Sequence, residues 1–131
     1  MPSTSFNTTR RVGNQGEALA WAHLNALGYG HVAYNWHAGR LGELDGIFTH
    51  PQEKRLVFVE VKSRRGYSAT EALLAITPAK QKQLVALVQA FLAQHPQWQD
   101  WDMGIDVVGV SWPNRHQPPT IIHVENAVVG D

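Results

Sequence analysis

Residues 55–62 read Arg-Leu-Val-Phe-Val-Glu-Val-Lys. β-Branched and aromatic side chains dominate the stretch, which predicts a strand from Arg55 to Lys62, central in its sheet. Successive side chains of a strand face opposite ways, so Phe58, Glu60 and Lys62 share one side and Val57, Val59 and Val61 the other. An acid and a base are thereby set about 6.6 Å apart on one face of an otherwise apolar strand. Burying such charges without partners costs several kcal/mol. Two explanations stand side by side: an ion pair at a strand end facing water, or a cation ligand, Glu60, with Lys62 acting beside it.

The segment just upstream bears on that choice. Residues 49–54, rich in turn formers, close a hairpin between this strand and a second one predicted from Gly42 to Phe48. The second strand carries Glu43 and Asp45, and aspartate is disfavoured in strands. Carboxylates on adjacent strands suit Mg²⁺, which takes one or two of them and completes its shell with water and phosphate oxygens. The competing explanation is turn chemistry, since Gly42 and Gly46 flank the pair.

Further out, residues 14–27 predict a helix, with Ala20, Trp21, Leu24 and Leu27 on one stripe and Gly28 as its stop. Glu17 lies on that inward stripe, although Asn14 and Glu17 also have the spacing of a capping box. His31 to Trp36 reads as a short strand. Downstream, Thr77 as N-cap and Pro78 in the first turn open a second helix, whose apolar face carries Leu84, Leu87, Val88 and Phe91 and which Pro96 ends. Lys80 sits in its first turn, where the helix dipole disfavours a cation, so it either points at a bound phosphate or snorkels to solvent. Strands over 105–110 and 120–124 complete an order α-β-β-β-α-β-β. That order implies an α/β protein with a central mixed sheet flanked by helices, not a doubly wound one.

The composition of the 131 residues sets outer limits. With 44% hydrophobic residues the chain can bury a real core. Residues 1–12 read as a flexible, mildly basic arm and 13–131 as one domain. There is no cysteine, which removes disulfides, thiolate zinc sites and thiol nucleophiles and fits a cytoplasmic location. No apolar run has the roughly 18 residues of a membrane span, and the first residues lack a signal-peptide core, so no membrane partner is expected. Formal net charge is zero, but residues 1–65 hold eight Lys/Arg against five Asp/Glu, and residues 66–131 hold three against six. None of the seven histidines stands three or four residues from another, so no helical zinc motif is present and surface or boundary roles are expected. The five tryptophans read as packing residues, with Trp98, Trp101 and Trp112 in irregular, exposed segments.

Asp45 and the triplet Glu60-Val61-Lys62, with fourteen residues between them, resemble the PD-(D/E)XK signature of the restriction-endonuclease-like superfamily. More closely, Gly16-Glu17-Ala18 with Gly28-Tyr29, Gly42-Glu43-Leu44-Asp45, Phe58-Val59-Glu60-Val61-Lys62-Ser63-Arg64, Lys80 and Asp106-Val107-Val108 resemble the YraN family, also called UPF0102. The match runs in order over about residues 13–110. The resemblance implies a restriction-endonuclease-like core and, through likeness to archaeal Holliday junction resolvases, a metal-dependent endonuclease. On that basis Glu17, Asp45, Glu60 and Lys62 are the expected catalytic set. Asp45, Glu60 and the Val61 carbonyl would hold Mg²⁺ or Mn²⁺, Glu17 would complete the shell, and Lys62 would orient or deprotonate the attacking water. Glu43 and Lys80 support the site, and Arg64, Arg65, Lys80 and Lys82 are expected along a nucleic-acid backbone, with DNA the expected partner. A resolvase needs two active sites, hence a homodimer, for which Trp98, Trp101 and residues 121–129 are the candidate surface. Two departures stand out: Ile105 before Asp106, where the family has a basic or aromatic residue, and Leu44 in place of the superfamily's nominal proline. The rival functions are a non-catalytic nucleic-acid-binding module and a protein-interaction domain whose acids and lysines are structural ion pairs.

Overall fold

The computed structural model describes residues 8–66, 76–114 and 116–128. Helix α1 (Thr8–Ala26) leads into strands β1 (Gly30–His37), β2 (Glu43–Thr49) and β3 (Arg55–Arg65). Helix α2 (Pro78–Gln94) then precedes β4 (Asp102–Trp112) and β5 (Thr120–Val128). Single 3₁₀ turns lie at Gly39–Leu41 and Pro96–Trp98. The five strands stand in chain order across one sheet. All neighbours are antiparallel except β3 and β4, which run parallel in register from Arg55 opposite Asp102 to Arg65 opposite Trp112. A parallel pair needs a crossover, and α2 lies within the one that joins them. This is the mixed, helix-flanked α/β architecture that the element order implies.

β3 explains why both faces are covered. Leu56 and Phe58 pack with Leu44, Ile47 and the α2 residues Leu84, Leu87, Val88 and Phe91. Val57 and Val59 pack on the opposite face with Ala20 and Leu24 of α1, Tyr29, Phe48, Val108 and Val110. A strand buried on both sides reads as a nearly continuous apolar run, and that run is interrupted only where the candidate site begins. α2 starts as its sequence dictates, with the Thr77 hydroxyl accepting from the Lys80 amide at 3.1 Å and Pro78 as the first helical residue.

Four boundaries differ from expectation by three residues or more, among them the end of β5, which runs to Val128 rather than stopping at 124. α1 begins at Thr8, so Asn14 and Glu17 lie inside the helix and form no capping box, and residues 8–12 of the expected arm are helical. Nothing between Thr8 and Val12 carries an apolar stripe, so periodicity could not extend the helix backwards; residues 1–7 lie outside the described set. β3 and β4 each extend beyond their apolar runs, because backbone pairing continues through Ser63, Arg64 and Arg65. The tryptophans expected in exposed segments are half-buried. Trp98 packs on the α2-side core and meets Trp101 edge-on at 4.9 Å, and Trp112 closes β4 against the α1-side core.

Candidate active site

The site forms where β2 and β3 part. Their ladder runs from Thr49 opposite Leu56 to Gly46 opposite Val59 and stops there, one residue short of Asp45 and Glu60. Beyond that point β3 stays paired with β4 and β2 with β1. The split would orphan the Val61 amide, and the Asp45 carboxylate takes the place of a strand carbonyl, its Oδ2 accepting from Val61 N at 2.8 Å. Asp45 is thus fixed in the gap between strands, beside Glu60.

Glu60 is 4% exposed, a carboxylate at the end of a hydrophobic strand. Two lysines reach its Oε2: Lys80 from the first turn of α2 at 3.4 Å and Lys62, two residues along the same face, at 3.8 Å. Its Oε1 is buried and has no hydrogen-bond partner. The Asp45 carboxylate lies within hydrogen-bond reach of Glu60, but two ionised carboxylates are both acceptors, so they can be joined only by a shared proton or a cation. Burial, and after it the Asp45 charge, pushes the Glu60 carboxyl up to about 7, against the pull of Lys80 and Lys62. Asp45 is also raised above the usual carboxylate range, chiefly by burial, with the Val61 amide opposing.

Glu17 approaches from α1. Its carboxyl is raised first by burial and then by the charges of Asp45 and Glu43, so the three acids lie near one another. Two glycines let these acids come close. A Cβ on Gly16 would overlap the Ser63 side chain on β3, and one on Gly46 would lie 2.6 Å from the Trp21 ring of α1. Each glycine is the immediate neighbour of a site acid, so the backbone approach that only glycine permits also sets the carboxylate position. Glu43 sits at the rim, half-buried, pairing with His37 at 3.2 Å.

The structure therefore brings together Glu17, Glu43, Asp45, Glu60, Lys62 and Lys80. It does not bring in Lys82, which lies on the exposed side of α2, two residues and about 200° around the helix from Lys80. Arg65 is exposed at the end of β3, and Arg64 folds back so that its Nη1 donates to the Ser63 carbonyl at 2.9 Å. Four carboxylates against two lysines leave the gap net negative. Among the described residues no three His, Asp or Glu side chains close around one point as a complete metal cage. The donor set still fits Mg²⁺, which needs only one or two carboxylates and keeps its waters, and the unpartnered Glu60 oxygen beside Asp45 is a buried acceptor that it would satisfy.

A second polar cluster, spread over α1 and the β4–β5 edge, was not legible in the sequence. Asp106 is 2% exposed; its Oδ2 bonds His123 Nε2 at 2.8 Å and its Oδ1 accepts from Asn126 N at 3.0 Å, at a bulge in the β4–β5 ladder. His123 Nδ1 in turn lies 3.3 Å from His23 Nε2 on α1. Spacing along one helix, the signal by which paired histidines are found, is blind to a pair 100 residues apart.

Comparison with known proteins places the chain in a family. Residues 16–110 match the family model described as "Uncharacterised protein family UPF0102". A UPF0102 protein of Roseiflexus castenholzii is 40% identical over 118 residues, covering 90% of this chain and 93% of its own. One from Pseudomonas aeruginosa is 35% identical over 124 residues, covering 95% and 97%. One from Thermosynechococcus vestitus is 41% identical over 109 residues, covering 82% and 83%. The matched span takes in the whole acid–lysine gap, and the chain belongs to the UPF0102 family.

Proposed function

We propose that the protein is a divalent-cation-dependent nuclease of the PD-(D/E)XK kind, hydrolysing nucleic-acid phosphodiester bonds as Holliday junction resolvases do. The observation that carries this reading is the buried Asp45–Glu60 pair at the parting of β2 and β3, with a Glu60 oxygen lacking a partner and two lysines on the other. Asp45, Glu60 and the Val61 carbonyl would hold Mg²⁺ or Mn²⁺, with Glu17 completing the shell directly or through water. When bound, the ion polarises the phosphate and lowers the pKa of an attacking water. The chain's own side chains do the rest. Lys62 orients that water and, with Lys80, presents point charges to the phosphate oxygens, where negative charge develops in the transition state. Arg64 and Arg65, on the same end of β3, follow the nucleic-acid backbone and set position rather than sequence.

Cleavage of a labelled branched DNA in Mn²⁺, together with calorimetric titration of Mn²⁺ alone, tests this on the wild type and on Glu60→Gln. The wild type is expected to bind the ion and cut, and Glu60→Gln to lose at least 100-fold in rate. Cation binding unaffected by Glu60→Gln, or nucleic acid bound but cut by neither protein in any divalent cation, overturns the nuclease reading.

A further inference from the structure

We infer that His23 and His123 form a second metal site, distinct from the carboxylate gap and built for a borderline transition-metal ion of the Zn²⁺ class. The argument begins with Asp106. Its Oδ1 accepts from the Asn126 amide and its Oδ2 lies 2.8 Å from His123 Nε2; an ionised carboxylate can only accept, so the ring hydrogen that it bonds sits on Nε2. His123 Nδ1 is then a bare lone pair, and it points at His23 Nε2, 3.3 Å away. That separation is within hydrogen-bond reach, and it suits a second geometry as well. It equals the distance between two imidazole nitrogens that each sit about 2.0–2.1 Å from one tetrahedral ion, about 3.3–3.4 Å.

The surroundings fit the same ion. A metal-bound imidazole almost always donates its other N–H to a carboxylate or carbonyl, which holds the ring and raises its basicity; buried Asp106 does this for His123. The rings meet edge to face, 79° apart with centroids 5.3 Å from each other, so neither blocks the space between the nitrogens. Two neutral nitrogen donors select Zn²⁺, Ni²⁺ or Cu²⁺ over Mg²⁺. His23 comes from α1 and His123 from β5, so the ion clips the first helix to the last strand. Among the described residues no third side chain is placed to ligate the same ion, so water would complete its shell.

The test is titration of Zn²⁺ alone, in magnesium-free buffer, by calorimetry and by thermal unfolding. Co²⁺ serves as an optical probe of tetrahedral nitrogen ligation. Wild type is expected to bind one equivalent at the histidine pair besides any taken by the carboxylate gap, and Glu60→Gln to keep that equivalent and the gain in thermal stability. His23→Gln, a change on the half-exposed side of α1, is expected to lose at least tenfold in affinity and the stability gain with it. Asp106→Asn, which keeps the shape but weakens the support, is expected to bind about 10–100-fold more weakly. No binding by the wild type, equal binding by His23→Gln, or loss in Glu60→Gln instead would overturn the inference; the first two would make the pair a hydrogen-bonded tie between α1 and β5.

Discussion

At the scale of single residues the molecule turns on Glu60. Its carboxyl lies at about 7 in the folded chain against an ordinary 4.5, with burial the first cause and Asp45 the second. The folded state therefore holds this proton more tightly than the unfolded state does. That contribution to stability is complete below about pH 4.5 and is lost as pH rises through about 7. Glu60→Gln removes the dependence while keeping the shape. In metal-free buffer its melting temperature is expected to exceed that of the wild type by a few degrees at about pH 8, and the advantage should vanish towards pH 4. Equal melting temperatures at both pH values would contradict the burial described here. Strand alternation alone placed Glu60 and Lys62 on one face, so this part of the site was open to the sequence. The Asp45 bond to the Val61 amide was not, because it depends on where two strands separate, and no alternation pattern encodes that. Glu17 was ambiguous for another reason: an acid near the start of an apparent helix is explained equally well by capping, until the true start is known to lie at Thr8.

At the scale of elements, legibility followed punctuation. α2 was bounded by Thr77-Pro78 and Pro96, residues whose backbone chemistry leaves little choice, and it begins where they require. α1 had no such mark at its start, and the polar ends of β3 and β4 had no apolar signal, so each runs past its legible part. The Thr77 cap also matters to the site, because the amide it satisfies belongs to Lys80, whose side chain reaches Glu60. Thr77→Ala is expected to cost about 1 kcal/mol in urea unfolding. It should also weaken nucleic-acid binding measurably, a second effect that the conservative Thr77→Ser would spare. A cost to stability with no effect on binding would show that Lys80 keeps its place without the cap.

At the scale of the whole molecule, net charge is zero and the cations near the site are few. Among the described residues the cations at this end of the sheet are Lys62, Lys80, Arg64 and Arg65, so the log–log slope of nucleic-acid affinity against salt is expected to be shallow, about −3 to −4 on duplex DNA. Anisotropy titrations across a salt series measure it, and a much steeper slope would place the contact surface elsewhere. The sheet could be read from the chain because its strands lie in sequence order, but contacts that join distant elements, such as His23 with His123, exist only in the fold. The sequential order has one interruption, the crossover between β3 and β4, and it has a consequence in time. In chain order Glu17 on α1 and Glu43, Asp45 and Glu60 on a meander of three strands all precede α2, so the segment that carries Lys80 is the last part of the gap to be made. The segment that completes the parallel pair also delivers that lysine. Electrostatic closure of the gap and topological closure of the sheet are therefore one event, and a nascent chain halted before α2 would carry an acidic cleft with no second lysine to quiet it.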